Sequence, residues 1–136
     1  MNIKIKDFKV ETNERIQLID ITNEVENFVK ESKVNNGLCL IYSLHSTTAI
    51  IVNEKESGLI QDILHEIQKV FPKDEKWLHN RIDDNADSHL ASTFIGTSKV
   101  FPVSEGKLIR GAWQNIFLLE LDGPRRRKII IEVLGE

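Results

Sequence analysis

Apolar and polar residues alternate with period two through Ile3-Lys4-Ile5-Lys6, the mark of a half-buried strand. After the turn residues Thr12-Asn13-Glu14, Arg15-Ile16-Gln17-Leu18-Ile19-Asp20 alternates again. The two runs predict an N-terminal hairpin. The period then changes. Val25, Phe28 and Val29 fall on one helical face behind Thr22, whose hydroxyl can cap the first turn. Asn35-Asn36-Gly37 tolerates the left-handed conformation that ends a helix. Residues 38–44 form a short apolar run between turn signals and read as a central strand, and residues 49–52 form a second strand after His45-Ser46-Thr47-Thr48. Behind a Ser57 cap, Ile60, Ile63, Leu64 and Ile67 repeat at i, i+3, i+4 and i+7, the clearest amphipathic helix of the chain. Phe71-Pro72 stops it.

Residues 73–87 are polar and irregular, and 88–95 predict a short helix ending at Gly96. Residues 99–103, 107–122 and 128–134 read as three further strands, with turns at Glu105-Gly106 and Gly123-Pro124. Ile116-Phe117-Leu118-Leu119 and Ile129-Ile130-Ile131 are apolar on both faces. One face should meet helices and the other a second sheet or a second subunit, which predicts a trimer or another oligomer. The pattern is that of an α+β fold: a mixed or antiparallel sheet with two main helices on one face.

The length of 136 residues suits one domain, 1–136, large enough to fold without a disulfide or metal staple. A net charge of −3 and a pI near 5.8 argue against a dedicated nucleic-acid binder, which needs massed Lys and Arg. No apolar run approaches the length of a membrane span. The single cysteine, Cys39, cannot form an internal disulfide, and no leader-like segment precedes the first strand. The expectation is a cytoplasmic protein.

Of the four histidines, His65 lies at the edge of an apolar helix face and reads as solvated. His45 interrupts two strands, and His79 and His89 bracket the polar stretch Asn80-Arg81-Ile82-Asp83-Asp84-Asn85-Ala86-Asp87-Ser88. Three imidazoles plus a water is the pattern of an open catalytic Zn²⁺ site, with Asp83, Asp84 and Asp87 orienting the rings. The bland alternative is a loop held by Asp and Asn side chains bonding to backbone. An EF-hand reading fails for want of the central Gly and closing Glu, whereas Mg²⁺ held by carboxylates and a substrate phosphate stays open. Arg125-Arg126-Arg127 reads first as a solvated turn and second as a phosphate clamp, with Arg81 and Arg110 as further candidates. Trp113 reads as core filling, or as a wall for a planar ring.

Together these residues resemble the YjbQ-like family, also described as secondary thiamine-phosphate synthases. The resemblance runs through His45-Ser46-Thr47-Thr48-Ala49, Val52-Asn53-Glu54, His79-Asn80 and Asp84-Asn85-Ala86-Asp87-Ser88-His89-Leu90. It continues through Gly106-Lys107-Leu108, Gly111-Ala112-Trp113-Gln114 and Glu120-Leu121-Asp122-Gly123-Pro124-Arg125, so it covers nearly the whole chain. Ala112 departs from it, standing where the family usually has Thr. The resemblance implies sheets packed about a trimer axis and one pocket that gathers the polar motifs. It implies an activity that joins a pyrimidine diphosphate to a thiazole phosphate and releases pyrophosphate. On that reading Arg81, Arg110 and Arg125 hold phosphates, Trp113 stacks on a ring, and Thr47, Asn85 and Gln114 touch substrate. His45, Asp87, His89, Glu54 and Glu120 are the catalytic candidates, and His45, His79 and His89 are the metal candidates. Two other readings stand beside it. One is a Zn²⁺-dependent hydrolase, because Zn²⁺-hydroxide suits hydrolysis and imidazoles suit Zn²⁺. The other is a non-enzymatic trimer that binds a metal or a small anion.

Overall fold

A strand that is apolar on both faces must lie between two layers, and Ile116-Phe117-Leu118-Leu119 does so. The computed structural model describes residues 1–136. Its elements are β1 (Asn2–Glu11), β2 (Gln17–Asp20), α1 (Thr22–Ser32), β3 (Gly37–Ser43), β4 (Thr48–Asn53) and α2 (Ser57–Val70), then a short 3-10 helix (Leu78–Arg81) and α3 (Ala86–Ile95). The chain closes with β5 (Ser98–Ser104), β6 (Lys107–Leu108), β7 (Asn115–Glu120) and β8 (Arg126–Gly135). Two antiparallel sheets result, a five-stranded one ordered β1-β8-β3-β5-β6 and a three-stranded one ordered β2-β7-β4. The fold is α+β, as the pattern predicts.

Two cores share β7. In the larger, Cys39, Ile41, Phe101, Ile129 and Ile131 of the five-stranded sheet meet Ile50, Ile116 and Leu118 of the other sheet, and Val25, Phe28 and Val29 of α1 close it. In the smaller, Ala49 and Leu119 meet Ala91 of α3, with Leu64 and Ile67 of α2 packed against them. The expectation of both main helices on one face is therefore corrected: α1 belongs to the first core and α2, with α3, to the second.

The N-terminal hairpin does not form. β1 pairs with β8 over its whole length, from Asn2 opposite Gly135 to Glu11 opposite Arg126, whereas β2 pairs with β7. Alternation reports that a strand is half-buried, not which strand lies beside it. The local punctuation also shifts. Glu56, not Ser57, caps α2, its carboxylate accepting the Gly58 and Leu59 N–H groups at 2.7 and 2.8 Å. Thr22 is the first helical residue, and its hydroxyl accepts the Ile116 N–H at 2.9 Å. Lys33, at φ 58°, takes the left-handed position that ends α1. The strand expected over 107–122 is broken between β6 and β7, because Gln114 folds back and its Oε1 accepts the Gly111 N–H at 2.7 Å.

The outer face of the five-stranded sheet has no cover within the chain. Ile3 and Ile5 of β1, Leu38 and Tyr42 of β3, and Val100 of β5 lie on it by register, and all are exposed.

Gly37 marks where this sheet is tightest, since a Cβ there would stand 1.9 Å from the Leu134 carbonyl oxygen. The clash is with backbone on the neighbouring strand, which cannot rotate away. Gly37→Ala is expected to lower unfolding free energy by about 2 kcal/mol or more, read by urea titration.

Candidate active site

β7 ends at Glu120, and the chain's buried charges gather there. Glu120 is fully buried. Its Oε1 accepts the Thr12 hydroxyl and Arg127 Nε, each at 2.8 Å. Its Oε2 accepts the Leu121 and Asp122 N–H groups, each at 3.0 Å, and Arg127 Nη2. Arg127, also buried, donates from Nη2 to Thr47 Oγ1 at 2.8 Å. One carboxylate thus ties the end of β1, the β3–β4 turn, the β7–β8 turn and the start of β8. Burial works to raise its pKa, but Arg127, the Asp122 amide and Thr12 outweigh burial and hold it below the ordinary value. An acid–base role needs a lone pair facing substrate. Both Glu120 oxygens are engaged inside the protein, and Thr47 Oγ1 accepts from Arg127.

His45 stands on the same β3–β4 turn. Its Nε2 accepts the Lys128 N–H at 2.8 Å, so the neutral ring carries its proton on Nδ1. Burial first, and the nearby Arg127 next, depress its pKa, with Glu120 opposing them.

The other two polar-stretch histidines meet. His79, in the 3-10 helix, and His89, in the first turns of α3, pack edge to face with centroids 4.7 Å apart at 71°. With Trp77, Leu78, Ala86 and Leu90 they line a cavity of about 450 Å³. Two buried polar atoms have no partner, His79 Nε2 and Asn85 Oδ1. Asn85 is held by the donation of its Nδ2 to Asp122 Oδ2 at 2.8 Å, and Asn80 Oδ1 takes the Ala86 N–H at 3.2 Å. Orphaned buried polar atoms are rare and mark a place where a ligand or water bonds.

The three-histidine metal centre is not assembled. No group of three His, Cys, Asp or Glu side chains converges in a way that could hold an ion. The physical reason at His45 is its committed Nε2. Asp87 is also committed: Arg15 Nη2 donates to its two oxygens at 3.0 and 3.1 Å. The sequence reading missed Arg15, which carried no signal beyond strand alternation.

The remaining candidates divide between the two ends of the β4–β7 pair. Thr48 lies opposite Glu120, and Asn53 opposite Asn115. Five strand steps, about 17 Å, separate these ends. Glu54, Arg110, Trp113 and Gln114 belong to the far end. Trp113 is 74% exposed, which corrects the expectation of core filling. Arg110 is fixed by Glu26 at 3.3 Å and by the Gln114 carbonyl at 2.7 Å. Arg125 lies at the near end, its Nε donating to the Asp122 carbonyl at 2.8 Å, and Arg81 is exposed on the 3-10 helix.

The family model for UPF0047 proteins, YjbQ-like, matches residues 6–136. The chain belongs to the YjbQ-like family. A UPF0047 protein of Archaeoglobus fulgidus is 46% identical over 92% of this chain and 97% of its own length. UPF0047 protein YugU of Bacillus subtilis is 36% identical over 96% of this chain and 99% of its own. Among solved structures, a YbjQ-like protein of unknown function from Sulfolobus solfataricus superposes with a TM-score of 0.98 at 52% identity, each chain 99% covered. Of the YjbQ-like motifs, His79, Ala86, His89 and Leu90 line the cavity.

Two outcomes test this site's electrostatics. Arg127→Ala leaves an unpaired buried carboxylate and should cost about 3–5 kcal/mol in urea titration, against about 0.5 or less for the exposed Arg126→Ala. His45 binds a proton more weakly folded than unfolded, so its contribution is fully present above its ordinary pKa and is lost as pH falls through it toward the folded value. Melting temperatures between about pH 7 and about pH 5 should fall more steeply for the wild type than for His45→Gln, whose amide oxygen can still accept the Lys128 N–H.

Proposed function

We propose that the His79–His89 cavity is the active site of a thiamine-phosphate synthase-like transferase, which joins a pyrimidine diphosphate to a thiazole phosphate and releases pyrophosphate. The observation that carries the reading is the uncommitted, buried Nε2 of His79, a residue that lines a cavity with apolar walls, together with the partnerless Oδ1 of Asn85, which directly precedes the lining residue Ala86. Such a cavity takes a flat ring against Trp77, Leu78 and Leu90, while the imidazoles hold or move a proton at the ring's polar edge. Arg125 and Arg81 are the cationic groups available for phosphate. The leaving pyrophosphate needs its charge neutralised, which Mg²⁺ carried on the diphosphate supplies when bound.

A homotrimer fits this reading. The uncovered apolar sheet face supports an assembly, in which Trp113 and Gln114, at the end of the β4–β7 pair away from Glu120, would serve a neighbouring subunit's substrate. We place the protein in the cytoplasm. Its only thiol is buried, with a pKa pushed up to about 12, and suits a reducing compartment.

Purified protein given both phosphorylated substrates and Mg²⁺ should form thiamine phosphate, with His89→Ala and His79→Ala slower by about 100-fold or more. A wild type no faster than His89→Ala would refute the proposal. The buried, partnerless Nε2 of His79 favours a second reading, a Zn²⁺-dependent hydrolase. One chain does not furnish three ligands, so this reading requires a ligand from a neighbour. Zinc bound per subunit and lost on His79→Ala would support it.

A further inference from the structure

The first turn of α3 borders two cavities. Ala86 and His89 line the histidine cavity, whereas Asp87 lines a second one of about 410 Å³, where Arg15 reaches in from the β1–β2 loop. We propose that this second cavity binds a small zwitterion, its carboxylate against Arg15 and Lys73 and its ammonium group against Asp74 and the C-terminal end of α2.

Arg15 is the first reason. Asp87 and Ser88 engage only its Nη2, which leaves Nε and Nη1 without partners, and the side chain is 29% exposed toward the cavity it lines. Nε–H and Nη1–H lie on different edges of the guanidinium, since both of its forks include Nη2, so each offers a carboxylate one charge-assisted hydrogen bond. Lys73 and Asp74 are the second. They line the same cavity, carry opposite charges, and neither forms an ion pair with any group of the chain. The lining charges balance, Arg15 and Lys73 against Asp74 and Asp87. A ligand of net charge would leave one of these ions unmatched, whereas a dipolar ligand answers both signs.

The helix end is the third. Gln68 and Phe71 belong to the C-terminal end of α2, where the last carbonyls lack intrahelical donors and carry the negative end of the helix dipole. That end attracts an ammonium group. Between the charges, Phe71 and Pro72 give an apolar stretch for a short methylene spacer.

The probe is β-alanine, titrated into ¹⁵N-labelled protein at constant ionic strength, with acetate and methylammonium as separate controls. Saturable shifts are expected at Arg15 Nε and at the amides of residues 71–74, with a midpoint near millimolar. Lys73→Ala and Asp74→Ala change exposed residues and should keep the wild-type melting temperature while weakening β-alanine by about tenfold. His89→Ala should bind β-alanine as the wild type does, so a failed synthase assay leaves this site untouched. The proposal is overturned if β-alanine gives no saturable shift, if acetate alone binds as tightly, or if either charge variant binds unchanged.

Discussion

The buried ion pair of Glu120 and Arg127 is the constraint from which the site end of the molecule takes its shape. A carboxylate removed from water is tolerable only when every lone pair is answered. Here the answers come from Thr12, Leu121, Asp122 and Arg127, which belong to three separate stretches of chain. Thr47 joins them through Arg127. The β3–β4 turn that carries His45 and the segment that carries Asp122 are thereby fixed to one point, and Asp122 in turn holds Asn85 at the start of α3.

Committed and uncommitted polar groups divide the labour. Glu120, Asp87 and His45 Nε2 are engaged inside the protein, and Thr47 Oγ1 accepts from Arg127, so these groups hold geometry. His79 Nε2 and Asn85 Oδ1 have none; His79 lines the apolar cavity, and Asn85 directly precedes its lining residue Ala86. A buried polar atom left unpaired costs stability, and its persistence is what a binding site requires. The uncommitted polar groups therefore lie on the 3-10 helix and at the start of α3 rather than among the acidic residues of the sheet.

Much of the fold was legible because hydrophobic period reports burial. The i, i+3, i+4, i+7 stripe of α2 is half-buried, with Leu64 and Ile67 against the second core, and the doubly apolar β7 is buried on both faces. Pairing was not legible. β1 and β8 lie at opposite ends of the chain, and nothing in Ile3-Lys4-Ile5-Lys6 names its partner. The site was legible in part. His79 and His89 come from one polar stretch and do meet, but the commitment of His45 to Lys128, of Arg127 to Glu120 and of Arg15 to Asp87 depends on contacts that span 72 residues or more in two of the three cases. Arg127 illustrates the point: within Arg125-Arg126-Arg127 it reads as solvated, yet strand alternation turns it alone into the core.

The most direct measurement is the titration of the Glu120 side-chain carboxyl carbon by ¹³C NMR. Its resonance is expected to stay at the ionised position as the exposed glutamates protonate, moving only at lower pH or on acid unfolding. A midpoint at or above the ordinary glutamate value would mean that the buried group is not held as a carboxylate by Arg127, and the framework built on that pair would fall.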